Sequence, residues 1–224
     1  MDVDVPTAAG PGRLVVAPAE RPRALLWLGH GAGGGIGAAD LTALASELPA
    51  LGVTVARYEQ PWRVAGKKVA SRPAALDAAW LETAPVVAEL AGGLPVIVGG
   101  RSAGARVACR TADTTGAAAV VCLAFPLHPP GRPEASRLDE LLTPSVPVLV
   151  LQGDRDTFGG AESLRAELAA APGDHANVRI APVAGADHGM KTLKASPLTA
   201  HDVRELVVSA TAGFVDEVVS SAGR

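Results

Sequence analysis

Only two cysteines, Cys109 and Cys122, occur in the 224 residues, too few for a disulfide framework. They fall in a predicted helix and a predicted strand, where buried free thiols are expected. An excess of one charge is lacking too. The formal net charge of −3 and the pI near 5.9 leave no electrostatic footprint for nucleic acid. The one basic concentration, Arg63, Lys67, Lys68 and Arg72, reads as a solvated loop. No apolar run is long enough to span a bilayer, and the first residues lack the basic-then-apolar order of a secretory signal. Together these absences predict a protein of the reducing cytoplasm with neither a nucleic-acid nor a membrane partner. No Walker loop, zincin motif or metal-spaced Cys/His set is present, so neither a metal nor a cofactor is expected. Repeats of solenoid or propeller length are also missing.

With 48% hydrophobic and 19% charged residues, the chain can bury a sizeable core. Residues 3–6 and 13–17 flank a Gly/Pro turn and predict an antiparallel hairpin. Continuous apolar runs of strand length follow at 24–28, 53–57, 95–99, 117–125, 146–151 and 178–183. Helical spacing separates them at 41–48, 76–90, 103–110, 138–142, 160–170 and 200–219. Asp40 is placed to cap the first of these helices, and Pro85 to kink or divide the second. Residues 58–73 read as a long loop. This alternation predicts one domain over 1–224, a mostly parallel sheet covered by helices on both faces with an antiparallel N-terminal edge.

Ligands of such a sheet sit beyond the carboxyl ends of the strands, and four of those ends carry unusual material. Gly100-Arg101-Ser102-Ala103-Gly104 is a G-x-S-x-G match set between a strand and a helix, the context that motif requires. Gly29-His-Gly-Ala-Gly-Gly-Gly35 is a glycine-dense loop. Gly153-Asp-Arg-Asp156 and Asp187-His188-Gly189 complete the set. A serine hydroxyl becomes a useful nucleophile when a histidine accepts its proton, and that imidazole needs a carboxylate to fix its tautomer. Ser102, Asp156 and His188 follow the nucleophile–acid–base order used on an α/β-hydrolase sheet. Asp154 is the alternative acid, unless it serves as a turn residue bonding its own backbone. Asp187 reads as loop structure.

The blocks Gly29-His-Gly-Ala-Gly-Gly34, Gly99-Gly-Arg-Ser-Ala-Gly-Ala-Arg106, Pro126-Leu-His-Pro-Pro-Gly131, Leu151-Gln-Gly-Asp-Arg-Asp-Thr-Phe-Gly159 and Ala186-Asp-His188 resemble the α/β-hydrolase superfamily. The likeness is to its small, lidless, dienelactone-hydrolase-like branch, in a version with a serine nucleophile. That resemblance implies an α/β-hydrolase fold without a large cap domain, and a carboxylesterase- or thioesterase-like activity. It also selects Asp156, three residues after Gly153, as the acid. Dienelactone hydrolases proper carry a cysteine where this chain has Ser102, so their substrate is not implied.

An oxyanion needs two preplaced donors. The residue after the nucleophile supplies the Ala103 N–H, and the glycine loop supplies Ala32 or, next, Gly33. His30 is expected to hold that loop or border the pocket. Trp62, Phe125, Leu127, Phe158 and Met190 are candidate pocket walls that fit plain packing equally well. Arg101 is expected in a surface or interface salt bridge, and Arg106 in a structural pair. The substrate is expected to be a small acyl compound, and the protein a monomer or homodimer. Two rival readings remain open. Gly29, Gly31 and Gly34 also fit a dinucleotide fingerprint with Glu59 as the ribose acid, and the scaffold can serve a non-catalytic binding protein.

Overall fold

The computed structural model describes residues 1–132 and 134–222. Its eight strands are β1 (Asp2–Val5), β2 (Gly12–Ala17), β3 (Ala24–Gly29), β4 (Val53–Glu59), β5 (Val96–Arg101), β6 (Ala119–Leu123), β7 (Val148–Gly153) and β8 (Val178–Val183). They form one sheet in the order β1-β2-β4-β3-β5-β6-β7-β8. β2 runs antiparallel to both β1 and β4, and the remaining pairings are parallel. The predicted hairpin edge and parallel body are therefore present. The direction of strand addition reverses between β3 and β5, which opens a crevice at their carboxyl ends.

The helices are α1 (Ala39–Glu47), α2 (Pro61–Val64), α3 (Pro73–Ala91), α4 (Ala103–Thr111), α5 (Leu138–Leu141), α6 (Ala161–Ala170) and α7 (Ala200–Ala222). Side chains alternate across the central strands, so each strand feeds two cores. Leu25 and Trp27 of β3 join α3, α4, α5 and α6 on one face. Leu26 and Leu28 join α1 and α7 on the other. Both faces being dry explains why these strands read as continuous apolar runs. Trp27 and Trp80 stack with ring centroids 3.7 Å apart, fixing α3 against the sheet. Between β6 and β7 only the short α5 forms among the described residues, so no large cap covers the sheet's carboxyl edge. No described helix is long and apolar enough to cross a membrane.

Three local expectations are corrected. Asp40 does not cap α1; Ala38 holds that position, and Asp40 lies within the first turn with its carboxylate directed to Arg101. Pro85 does not divide α3, which runs unbroken through it, since packing of Trp80 and Val87 on the sheet offsets the one backbone bond that proline lacks. The region 58–73 is not all loop: β4 extends to Glu59 and Pro61–Val64 is helical, with proline suited to the first helical turn.

Glycines let β3, β5 and α4 meet with their backbones almost in contact. A Cβ on Gly104 would lie 2.5 Å from both the carbonyl carbon and oxygen of Gly29, and one on Gly100 would lie 2.5 Å from that same oxygen. Backbone cannot rotate away as a side chain can. Gly104→Ala is therefore expected to cost at least ~1–3 kcal/mol. Gly213→Ala, in α7 with open space around it, is expected to stabilise by up to about 1 kcal/mol. Denaturant midpoints of the two variants check both signs.

Candidate active site

Ser102 occupies the turn between β5 and α4 with φ 52° and ψ −111°. A positive φ on a residue with a Cβ is strained, by roughly 1–3 kcal/mol, and survives because the surroundings over-determine it. Here the Ser102 N–H donates to the Leu123 carbonyl at 3.0 Å, and its own carbonyl accepts the Arg106 N–H at 3.2 Å. The turn is thus tied to β6 on one side and to α4 on the other, and the serine side chain projects half-exposed above the crevice.

His188 lies beyond β8 in a short closed turn. Asp187 Oδ1 accepts the Gly189 N–H at 2.7 Å and the Lys191 N–H at 3.0 Å, so this carboxylate holds the loop, as expected of it. His188 Nε2 stands 2.9 Å from Ser102 Oγ, and its Nδ1 stands 2.8 Å from Asp156 Oδ2. A carboxylate only accepts, so Nδ1 carries the proton and Nε2 is free to accept from the serine hydroxyl.

Asp156 is the carboxylate in this line; Asp154 instead accepts the Gly185 N–H at 2.8 Å, at the surface. The Asp156 side chain is fully buried, and its oxygens are well partnered. Oδ1 accepts the Phe158 N–H at 2.8 Å, while Oδ2 accepts Gln152 Nε2 at 3.1 Å in addition to His188. The two N–H groups of Gln152 are shared between Asp156 and the Phe125 and Gly159 carbonyls, which stand 3.1 and 2.6 Å from the amide nitrogen. Its role was missed at the sequence level, although one buried amide inside the apolar β7 run, four residues before the acid, is the signal that marks it.

The glycine loop after β3 passes close to the serine: a Cβ on Gly31 would meet Ser102 Cβ at 3.4 Å. Ala32 and Ala103 line a common cavity of about 10 Å³ together with His30, Trp62 and Ala70. Among the described residues neither the Ala32 nor the Ala103 N–H donates to another backbone carbonyl. Ala32 and Gly33 are both exposed, and Gly33 does not border that cavity and has open space around it. His30 braces the loop: its Nδ1 donates to the Gly31 carbonyl at 2.9 Å, and its Nε2 accepts the Gln60 N–H at 3.2 Å. Burial holds its pKa below the ordinary 6.5, opposed by the bond to Gly31. It is therefore a neutral bracket.

The candidate walls separate. Trp62 borders the small cavity, and the half-buried Phe158 ring lies 4.3 Å from the His188 ring, centroid to centroid. Phe125 and Leu127 are not walls, because both are fully buried in the core beneath the site. Met190 lies beside a groove of about 490 Å³ between α1 and α7 instead of over the serine. Arg106 forms the structural pair foreseen, with Glu140 at 2.5 and 2.8 Å. Arg101 is not at the surface: its side chain is 14% exposed and pairs with the 2%-exposed Asp40 at 2.7 Å. The dinucleotide reading of Gly29–Gly34 loses its footing, since Gly29 packs against Trp80 and Gly104 and His30 fills the loop. No three His, Cys, Asp or Glu side chains converge to hold a metal ion among the described residues.

Comparison with solved structures finds the same fold at low identity. XC6422 from Xanthomonas campestris, described as a serine hydrolase without a lid, superposes with a TM-score of 0.73 at 18% identity, over 96% of this chain and 94% of its own. A serine hydrolase homologue from Coxiella burnetii gives 0.74 at 18%, over 94% and 96%. Est1E from Butyrivibrio proteoclasticus gives 0.75 at 16%, over 98% and 99%. A search of curated proteins returns no match. The family model described as an alpha/beta hydrolase domain matches residues 22–216. With that match spanning most of the chain, and with the sheet order and serine turn described above, the protein belongs to the alpha/beta hydrolase family.

Proposed function

We propose that this chain is a serine hydrolase cleaving small to medium carboxylic esters, thioesters or lactones through an acyl-enzyme on Ser102. The observation that carries this reading is the continuous line from Ser102 Oγ to His188 Nε2 at 2.9 Å and from His188 Nδ1 to Asp156 Oδ2 at 2.8 Å. His188 takes the hydroxyl proton as Oγ attacks the carbonyl carbon, then returns it to the departing alcohol or thiol. Asp156 orients the ring and stabilises its transient positive charge without itself taking the proton. Water, deprotonated by the same imidazole, then releases the acid and restores Ser102.

The Ala103 N–H and the Ala32 N–H, or that of Gly33, receive the oxyanion. Donors already placed cost no reorganisation as charge develops. The α4 N-terminus at Ala103 adds the positive end of a helix dipole. With no large cap over this edge, the acyl and leaving groups lie mainly across the open face, past Phe158. The fold neighbour Est1E has been solved with ferulic acid bound, which supports testing aryl as well as alkyl esters.

A fluorophosphonate probe is expected to label Ser102, and Ser102→Ala to lose both labelling and at least ~10⁴-fold of p-nitrophenyl ester hydrolysis. No labelling and no hydrolysis by the folded wild type would leave a binding protein on a hydrolase scaffold. Asp156→Asn is expected to lower kcat about 10⁴-fold, because the amide favours the wrong imidazole tautomer. Asp154→Asn is expected to leave kcat near wild type. The opposite pattern in that pair, measured side by side, would move the acid to Asp154.

A further inference from the structure

Arg101 immediately precedes the serine, and its guanidinium reaches away from it, to two other elements. One nitrogen pairs with Asp40 Oδ2 at 2.7 Å, and the other donates to the backbone carbonyl of His188. The residues so joined are 61 and 87 positions away in the chain. Asp40 is itself held, with Oδ1 accepting the Leu41 N–H at 2.9 Å within the first turn of α1, where an anion also meets the positive end of the helix dipole. Both charged side chains are withdrawn from water, at 14% and 2% exposure. A planar fork with donors in fixed directions suits this bridging task, and a lysine ammonium does not reproduce it.

Such a pair is costly to desolvate and adds little net stability over an apolar replacement. Its geometry matters more. The histidine turn is closed by Asp187 on its far side, and on the near side its carbonyl is held by the residue next to the nucleophile. We infer that Arg101 and Asp40 form a positioning clamp that sets the distance between His188 and Ser102. Neither acts on substrate. The kinetic part of this inference rests on the serine-hydrolase reading; the clamp on the loop does not.

The test compares wild type, Arg101→Met and the double variant Arg101→Met/Asp40→Asn. The single change strands a buried carboxylate, so its melting temperature falls. The double change removes both charges and recovers that stability. In the double variant kcat on p-nitrophenyl acetate is expected to stay about 10²-fold low, the scale of a roughly 1 Å misplacement, with KM little changed. Amide exchange of residues 187–191 is expected to quicken in both variants. A double variant that regains wild-type kcat overturns the positioning role and leaves the pair purely structural. Unchanged exchange across 187–191 overturns the clamp, whatever the activity. A wild type inert towards p-nitrophenyl acetate and fluorophosphonate overturns the hydrolase reading, and the exchange measurement then decides the clamp alone.

Discussion

Three backbones meet where β3 ends, β5 ends and α4 begins, and the site depends on that contact. Gly100 and Gly104 leave no room for a Cβ against Gly29, and Gly29 itself leaves little. The close approach forces the sharp turn that puts Ser102 at φ 52°. It also brings the glycine loop after β3 to within contact of the serine, so that Ala32 and Ala103 border one cavity. Strain at Ser102 is tolerated because it is shared among bonds to Leu123 and Arg106 and the packing of Trp80 on Gly29. A side chain at Gly100 or Gly104 would push the β3 backbone away from the serine turn, and one at Gly29 would press on Trp80 as well.

Around this contact, side chains that never face the crevice hold those that do. Gln152 and the Phe158 N–H hold the buried Asp156 carboxylate, with Oδ2 directed towards His188. His30 is neutral and spans Gly31 and Gln60, stiffening the loop after β3 without offering a proton. Arg101 links α1 to the histidine turn. On the opposite flank, Arg106 and Arg110 grip Glu140, and Arg110 also grips Asp77. Burial acts to raise the Glu140 pKa, but its bonds to Arg106 and the Arg110 charge outweigh it and hold the carboxyl below its ordinary value. α4 is thereby tied to α3 and α5, so the helix behind Ser102 has little freedom to tilt.

Cys109 and Cys122 lie in this same region, fully buried with sulfurs 3.4 Å apart. The hydrogen bond between the two thiols and their burial push the Cys122 thiol well above its ordinary pKa. Neutral thiols of this kind pack as small apolar groups between α4 and β6, which accords with the buried free cysteines anticipated from their neighbours in the chain.

What the sequence by itself determined is whatever depends on local periodicity and on backbone demands. Alternating runs indicate how many strands there are and their succession along the chain, the G-x-S-x-G spacing marks the turn, and the order Ser102, Asp156, His188 places one polar group at each relevant strand end. Tertiary structure alone decided the partners. Asp154 and Asp156 are two positions apart and equally polar; the family resemblance selects Asp156, and the approach of the β8 loop brings that carboxylate against the imidazole while Asp154 bonds Gly185. Arg101 and Asp40 looked like a surface charge and a helix cap because nothing local reveals a pairing across 61 positions. Phe125 and Leu127 were indistinguishable from pocket walls until the packing beneath the site was seen. The physical reason is common to all three: periodicity tells which face a residue takes, while the identity of its neighbour is set by how distant segments pack.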